Sequence, residues 1–93
     1  MDIVLITYDL RDQSDRRRSR LREAIRSAFP RYHEHVELSV YLVGSDSRPS
    51  IIRDQLQPLL GDGDRLFVGK ISSSAWCGDA ALKQWVEETR SRP

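Results

Sequence analysis

Asp9 closes the run Ile3-Val4-Leu5-Ile6-Thr7-Tyr8-Asp9, in which apolar and β-branched residues give way to an acid. Such residues pack well on a pleated surface and aspartate is disfavoured there, so the run predicts a buried strand that delivers a carboxylate at its exit. A carboxylate held by a rigid strand suits precise chemistry. Mg²⁺, with Mn²⁺ as its substitute, takes one or two protein carboxylates and completes its octahedron with water and substrate phosphates. One acid per subunit therefore suffices if a dimer supplies the second. The competing reading of Asp9 is a turn aspartate at a strand end. Asp12 stands close enough to assist and equally suits a helix cap.

The second group is basic. Residues 11 to 31 hold eight arginines, among them Arg11, Arg16, Arg17, Arg18 and Arg20, against Asp12, Asp15 and Glu23. That segment carries +5 and the rest of the chain −4, although the formal net charge is only +1. A basic face of this kind can hold phosphates, and an ordinary solvated helix surface has the same composition. Ser39, within a strand segment, could meet phosphate at a sheet edge or a dimer interface, or serve the strand alone. His33 and His35 share one face of a strand at a spacing that binds zinc where other ligands converge, but no third ligand is apparent and packing or surface roles are simpler. Gly61-Asp62-Gly63 lacks the lysine and following helix of a nucleotide cradle. Tyr8, Tyr41, Phe67, Trp76 and Trp85 are most simply core or interface residues, without the interleaved cations of a base-stacking platform.

These groups need elements to position them. Asp12 or Ser14 can cap a helix over about 14–28, with Leu21, Ala24, Ile25 and Ala28 as its apolar stripe, and Pro30 stops it. Residues 31–43 are strand sequence, long enough for one bent strand or for two short strands joined by a tight turn near Val36 and Glu37; no Gly or Pro decides between them, and two strands is the reading adopted. The segment Gly44 to Pro49 turns into a second helix, with Ser47 as cap, Pro49 in its first turn and Ile51, Ile52, Leu56, Leu59 and Leu60 as its apolar face. Pro58 ends or kinks it, Gly61 to Asp64 make a turn, and Leu66 to Ile71 form a strand. Ser72 to Gly78 read as a loop, after which Asp79 caps a last helix facing inward through Leu82, Trp85 and Val86.

The order is strand, helix, strand pair, helix, strand. It predicts an α+β, ferredoxin-like (split βαβ) antiparallel sheet with both helices on one face, plus a short C-terminal helix. At 93 residues and 39% hydrophobic, the chain fits a single domain over 1–93, with 72–93 as a loop and helix appendage. The single cysteine, Cys77, excludes an intramolecular disulfide framework and fits a reducing compartment. A start made directly with a strand predicts no secretory leader. No apolar run approaches the roughly 20 residues that span a bilayer, so a cytoplasmic protein is expected.

The opening "LITYDL", the middle "LSVYLV" and the stretch "IIRDQLQPLLGDGDRLFVGKI" before a Trp-containing tail together resemble CRISPR-associated protein two (Cas two), a family of small ferredoxin-like dimers. The chain looks closest to a divergent, SinR-like subgroup. The resemblance implies a metal-dependent endonuclease of RNA or double-stranded DNA, or a structural subunit that holds DNA for a spacer-integrating partner protein. It implies that Asp9 binds the metal and faces its copy across a homodimer, and that Arg16, Arg17, Arg18 and Arg20 contact phosphate. The tail departs from the family, which carries a further strand crossing to the partner subunit where Ser72 onward here reads as loop and helix. A non-catalytic nucleic-acid-binding or protein-binding dimer is the alternative.

Overall fold

The computed structural model describes residues 1–11, 15–35, 40–73 and 80–93. In chain order the elements are β1 (Ile3–Asp9), α1 (Asp15–Ala28), β2 (Tyr32–His35), β3 (Val40–Gly44), α2 (Pro49–Leu56), a 3₁₀ turn (Gln57–Leu59), β4 (Arg65–Ile71) and α3 (Ala80–Arg90). This is a small α+β domain. Its four strands form one sheet in the order β2-β3-β1-β4, antiparallel at every pairing. The units β1-α1-β2 and β3-α2-β4 are thus interleaved, and β1 lies between the two strands of the second unit.

Strand alternation sets the layers. Successive side chains point to opposite faces. On one face Val4, Ile6 and Tyr8 of β1 and Tyr41 and Val43 of β3 meet Leu21, Ile25 and Phe29 from α1 and its exit, and Ile52 and Leu56 from α2. The rings of Tyr8 and Tyr41 stack there, 6.1 Å between centroids and 21° between planes. Both helices therefore cover the same face, as the sequence order predicts.

Among the described residues, the opposite face is covered at one corner. There α3 contributes Val86 and Thr89, both buried, and Ile3 of β1 is buried too. Gly44 makes this approach possible: a Cβ built on it would stand 2.9 Å from Thr89 Cγ2 and 2.7 Å from Met1 Sδ, closer than real carbon contacts allow. Arg31 then ties the α1–β2 link to the helix. Its Nε donates to Thr89 Oγ1 at 2.6 Å and its Nη2 pairs with Glu88 Oε2 at 3.1 Å. Its guanidinium also lies over the Trp85 ring, 5.9 Å from the centroid. Leu82 and Trp85 are half-buried.

Several expectations are corrected in detail. The residue preceding α2 is Arg48, extended at φ −66° and ψ 144° and without a side-chain cap, so Ser47 is not the cap. Pro49 fixes a helical φ at the first position and biases its predecessor to extended backbone, which moves the boundary one residue along. Ile51 does not belong to the apolar face of α2: it is 49% exposed, because Ile52 and Leu56, four apart, are the pair turned inward. Of the two readings of Phe67, core or interface, its 59% exposure removes the core one. Ala28 is exposed at the end of the α1 stripe. Pro58 does end α2, in the 3₁₀ turn. The capping roles of Asp12, Ser14 and Asp79, the turn near Val36 and Glu37, Ser39, Trp76, Cys77 and the loop from Ser74 onward lie outside the described residues. Among the described residues, no helix is long and apolar enough to cross a membrane.

Candidate nucleic-acid interface

Asp9 is the last residue of β1 and is exposed. Because Tyr8 and Leu10 turn into the core beneath α1 and α2, alternation places Asp9 with Leu5 and Thr7 on the sheet face away from those helices. Across the ladder it lies opposite Arg65, and Thr7 lies opposite Phe67. These four residues, with Tyr8 and Leu66, line a shallow open depression at the end of the sheet. Phe67 also borders a second depression with Pro49, Ser50 and Arg53 at the start of α2. Asp9 and the outer side of α1 thus belong to different layers, which the linear proximity of acid and arginines did not foretell.

The donor chemistry of Asp9 is right for a hard cation such as Mg²⁺ or Mn²⁺. Within one chain, however, the surroundings do not complete a centre. Among the described residues no group of three His, Cys, Asp or Glu side chains converges, and the cross-strand neighbour of Asp9 is a guanidinium. His33 and His35 lie by register opposite Leu42 and Val40, toward the far edge of the sheet from β4.

The arginines separate into two sets. Arg16, Arg18 and Arg20 on α1, and Arg11 before it, are exposed. Arg16 and Arg20 are four residues apart and so share one helix face. Arg17 differs: it is half-buried and paired with Asp64 from the turn before β4. Helical rotation explains this, since Arg17 precedes Leu21 by four residues and so extends the inward stripe of Leu21, Ala24 and Ile25. That spacing was available in the sequence; the partner Asp64, forty-seven residues away, was not.

Three arginines in the first turn of α1, Arg16, Arg17 and Arg18, contradict a local rule. The N-terminal end of a helix carries the positive pole of its dipole and its unbonded N–H groups, so cations there are unfavourable and anions favourable. Rule-breaking of this kind concentrates where function demands it. An anion set against this end meets both the dipole and the guanidinium groups.

Asp64 receives the Gly61 N–H at 2.7 Å and the Arg11 N–H at 2.8 Å on its two carboxylate oxygens. Those backbone donors, together with Arg17, hold its carboxyl below the ordinary value of 3.8. A carboxyl whose folded value is lowered stabilises the fold above its unfolded value, and that contribution disappears as the pH falls through the folded one. The urea midpoint is therefore expected to fall as the pH is brought from neutral to below 3.8, and Asp64→Asn is expected to flatten part of that fall. Chemical denaturation of both proteins across the acid range checks this; parallel curves would remove Asp64 from the account.

No protein-family model matches the chain, and no curated protein matches it either.

Proposed function

We propose that this chain is a nucleic-acid-binding protein of the Cas two kind: a ferredoxin-like domain acting in the cytoplasm as a homodimer, which holds RNA or double-stranded DNA through the arginines of α1. The observation that carries this reading is the exposed set Arg16, Arg18 and Arg20 at the positive end of α1, where phosphate would be held by dipole and side chains together. The dimer is supported by the half-covered sheet face. There Leu5, Val40 and Leu42 are only partly buried and Phe67 is exposed, an apolar surface for a second copy to cover. The test is binding of labelled RNA and duplex DNA followed by fluorescence anisotropy over a range of salt. Affinity falling linearly on logarithmic axes is expected as counterions are released. Salt-independent binding sinks the reading.

A second reading is a Mg²⁺- or Mn²⁺-dependent endonuclease of the spacer-acquisition type, working beside a spacer-integrating partner protein. One observation favours it: Asp9 is exposed on the same half-covered face, so two copies meeting there near the ends of their β1 strands would bring two Asp9 carboxylates together. Metal-dependent cleavage of RNA or duplex DNA that vanishes in Asp9→Asn is the expected result of this reading. Cleavage unchanged in Asp9→Asn, or none at all by a protein that binds, leaves the binding role alone.

A further inference from the structure

Asp64 sits where two loops meet. Its side chain is fully enclosed, and every oxygen has a donor: Oδ1 accepts the Arg11 N–H at 2.8 Å and lies 3.5 Å from Arg17 Nη1, while Oδ2 accepts the Gly61 N–H at 2.7 Å and the Arg17 Nη2 group. Small residues on both sides let the arginines close over the turn. A Cβ on Gly61 would stand 3.1 Å from Arg17 Nη2, and one on Gly63, whose φ of +83° favours glycine in any case, would stand 2.8 Å from Arg11 Cδ. Two backbone N–H groups and a guanidinium are the donor set that grips a phosphate oxygen, and here a carboxylate of the same chain fills it.

For Arg17 to reach nucleic acid it must leave this carboxylate. That would strand an enclosed negative charge with only neutral donors, a strongly unfavourable exchange. Arg16 and Arg20, by contrast, are exposed on the outer side of α1. We infer that Asp64 is a positioning residue for the basic helix: it withdraws Arg17 from the phosphate-binding set, and it pins the Arg11 backbone so that the arginines of the outer face are the ones a nucleic acid meets. The inference rests on the nucleic-acid reading above and sharpens it, since it separates Arg17, as a structural member of the basic helix, from Arg16 and Arg20 as binding members.

The experiment is a salt titration of binding to a short fluorescein-labelled DNA duplex. Wild type is compared with Arg16→Gln, Arg17→Gln, Arg20→Gln, Asp64→Asn and the double variant Asp64→Asn/Arg17→Gln, each checked for folding by circular dichroism. Each lost phosphate contact lowers the slope of log K against log salt by about 0.9. Arg16→Gln and Arg20→Gln should each show that loss, and Arg17→Gln should keep the wild-type slope. Asp64→Asn should steepen the slope by about 0.9 as Arg17 is released, and the double variant should restore it. A purely structural salt bridge would move stability without this pattern of slopes. Where one of the two lock variants fails to fold, the other is compared with the Arg16 and Arg20 variants. An Arg17→Gln slope lowered as far as that of Arg16→Gln, or an Asp64→Asn slope no steeper than wild type, overturns the inference and leaves the nucleic-acid reading standing. Wild-type binding that is absent or indifferent to salt overturns both.

Discussion

Ile25→Ala is expected to lower the free energy of unfolding by about 2–5 kcal/mol, the usual cost of emptying a buried aliphatic site. Ile25 is wholly buried and, with Leu21 and Phe29, is what seats α1 on β1 and β3. A domain of this kind has only about 5–15 kcal/mol in total, so the loss threatens the fold itself. The companion measurement is Ile51→Ala, which should stay within about 0.5 kcal/mol because Ile51 is a surface residue of α2. Urea denaturation gives both values, with unchanged m-values as the sign that only stability moved. Equal losses at the two positions would mean that the faces of the helix layer are wrongly assigned.

The second large effect is on binding. Replacing Arg16, Arg18 and Arg20 together with glutamine removes three of the cations offered at the positive end of α1. If each neutralises one phosphate, the salt slope falls by about 2.7, and affinity at about 0.1 M salt falls on the order of several hundred-fold. Loss of Arg16 and Arg20 should leave stability unchanged or raise it slightly, because both side chains are exposed and their charges oppose the helix dipole. Anisotropy titrations and a thermal melt on the same samples separate the two outcomes. A triple variant that binds as wild type does would place the interface elsewhere.

Much of the architecture was legible because the signals are local. The run from Ile3 to Asp9, the stripe Leu21, Ala24, Ile25, and Pro49 and Pro58 around α2 each act over one or two turns of chain, and each gave its element within about a residue. Residues 31–43 were harder, since nothing but composition divided them, yet the split into β2 and β3 is present. The failures have a common cause. Ile51 and Ile52 are adjacent in sequence but point differently, and only the packing of α2 on β4 chooses between them. The side on which Asp9 emerges follows from the phase of β1 relative to helices far along the chain. Arg17 could have been told from Arg16 and Arg18 by its spacing to Leu21, but its partner Asp64 could not, being closer to the end of the chain than to the helix it holds.

The sheet order also bears on how the chain comes to fold. β1 is first in sequence, yet Ile3 pairs with Gly44 on one side and with Ile71 on the other. Gly44 lies 41 residues further on and Ile71 lies 68, and closing such wide loops carries an entropic cost that only the completed sheet offsets. Until both partners are in place, β1 is an apolar segment without its sheet neighbours. α1, whose arginines keep it soluble, follows directly behind and is the first element able to shelter it. The cations proposed to meet nucleic acid in the finished protein thus also flank an apolar strand that waits for its partners, as charged residues beside aggregation-prone segments commonly do.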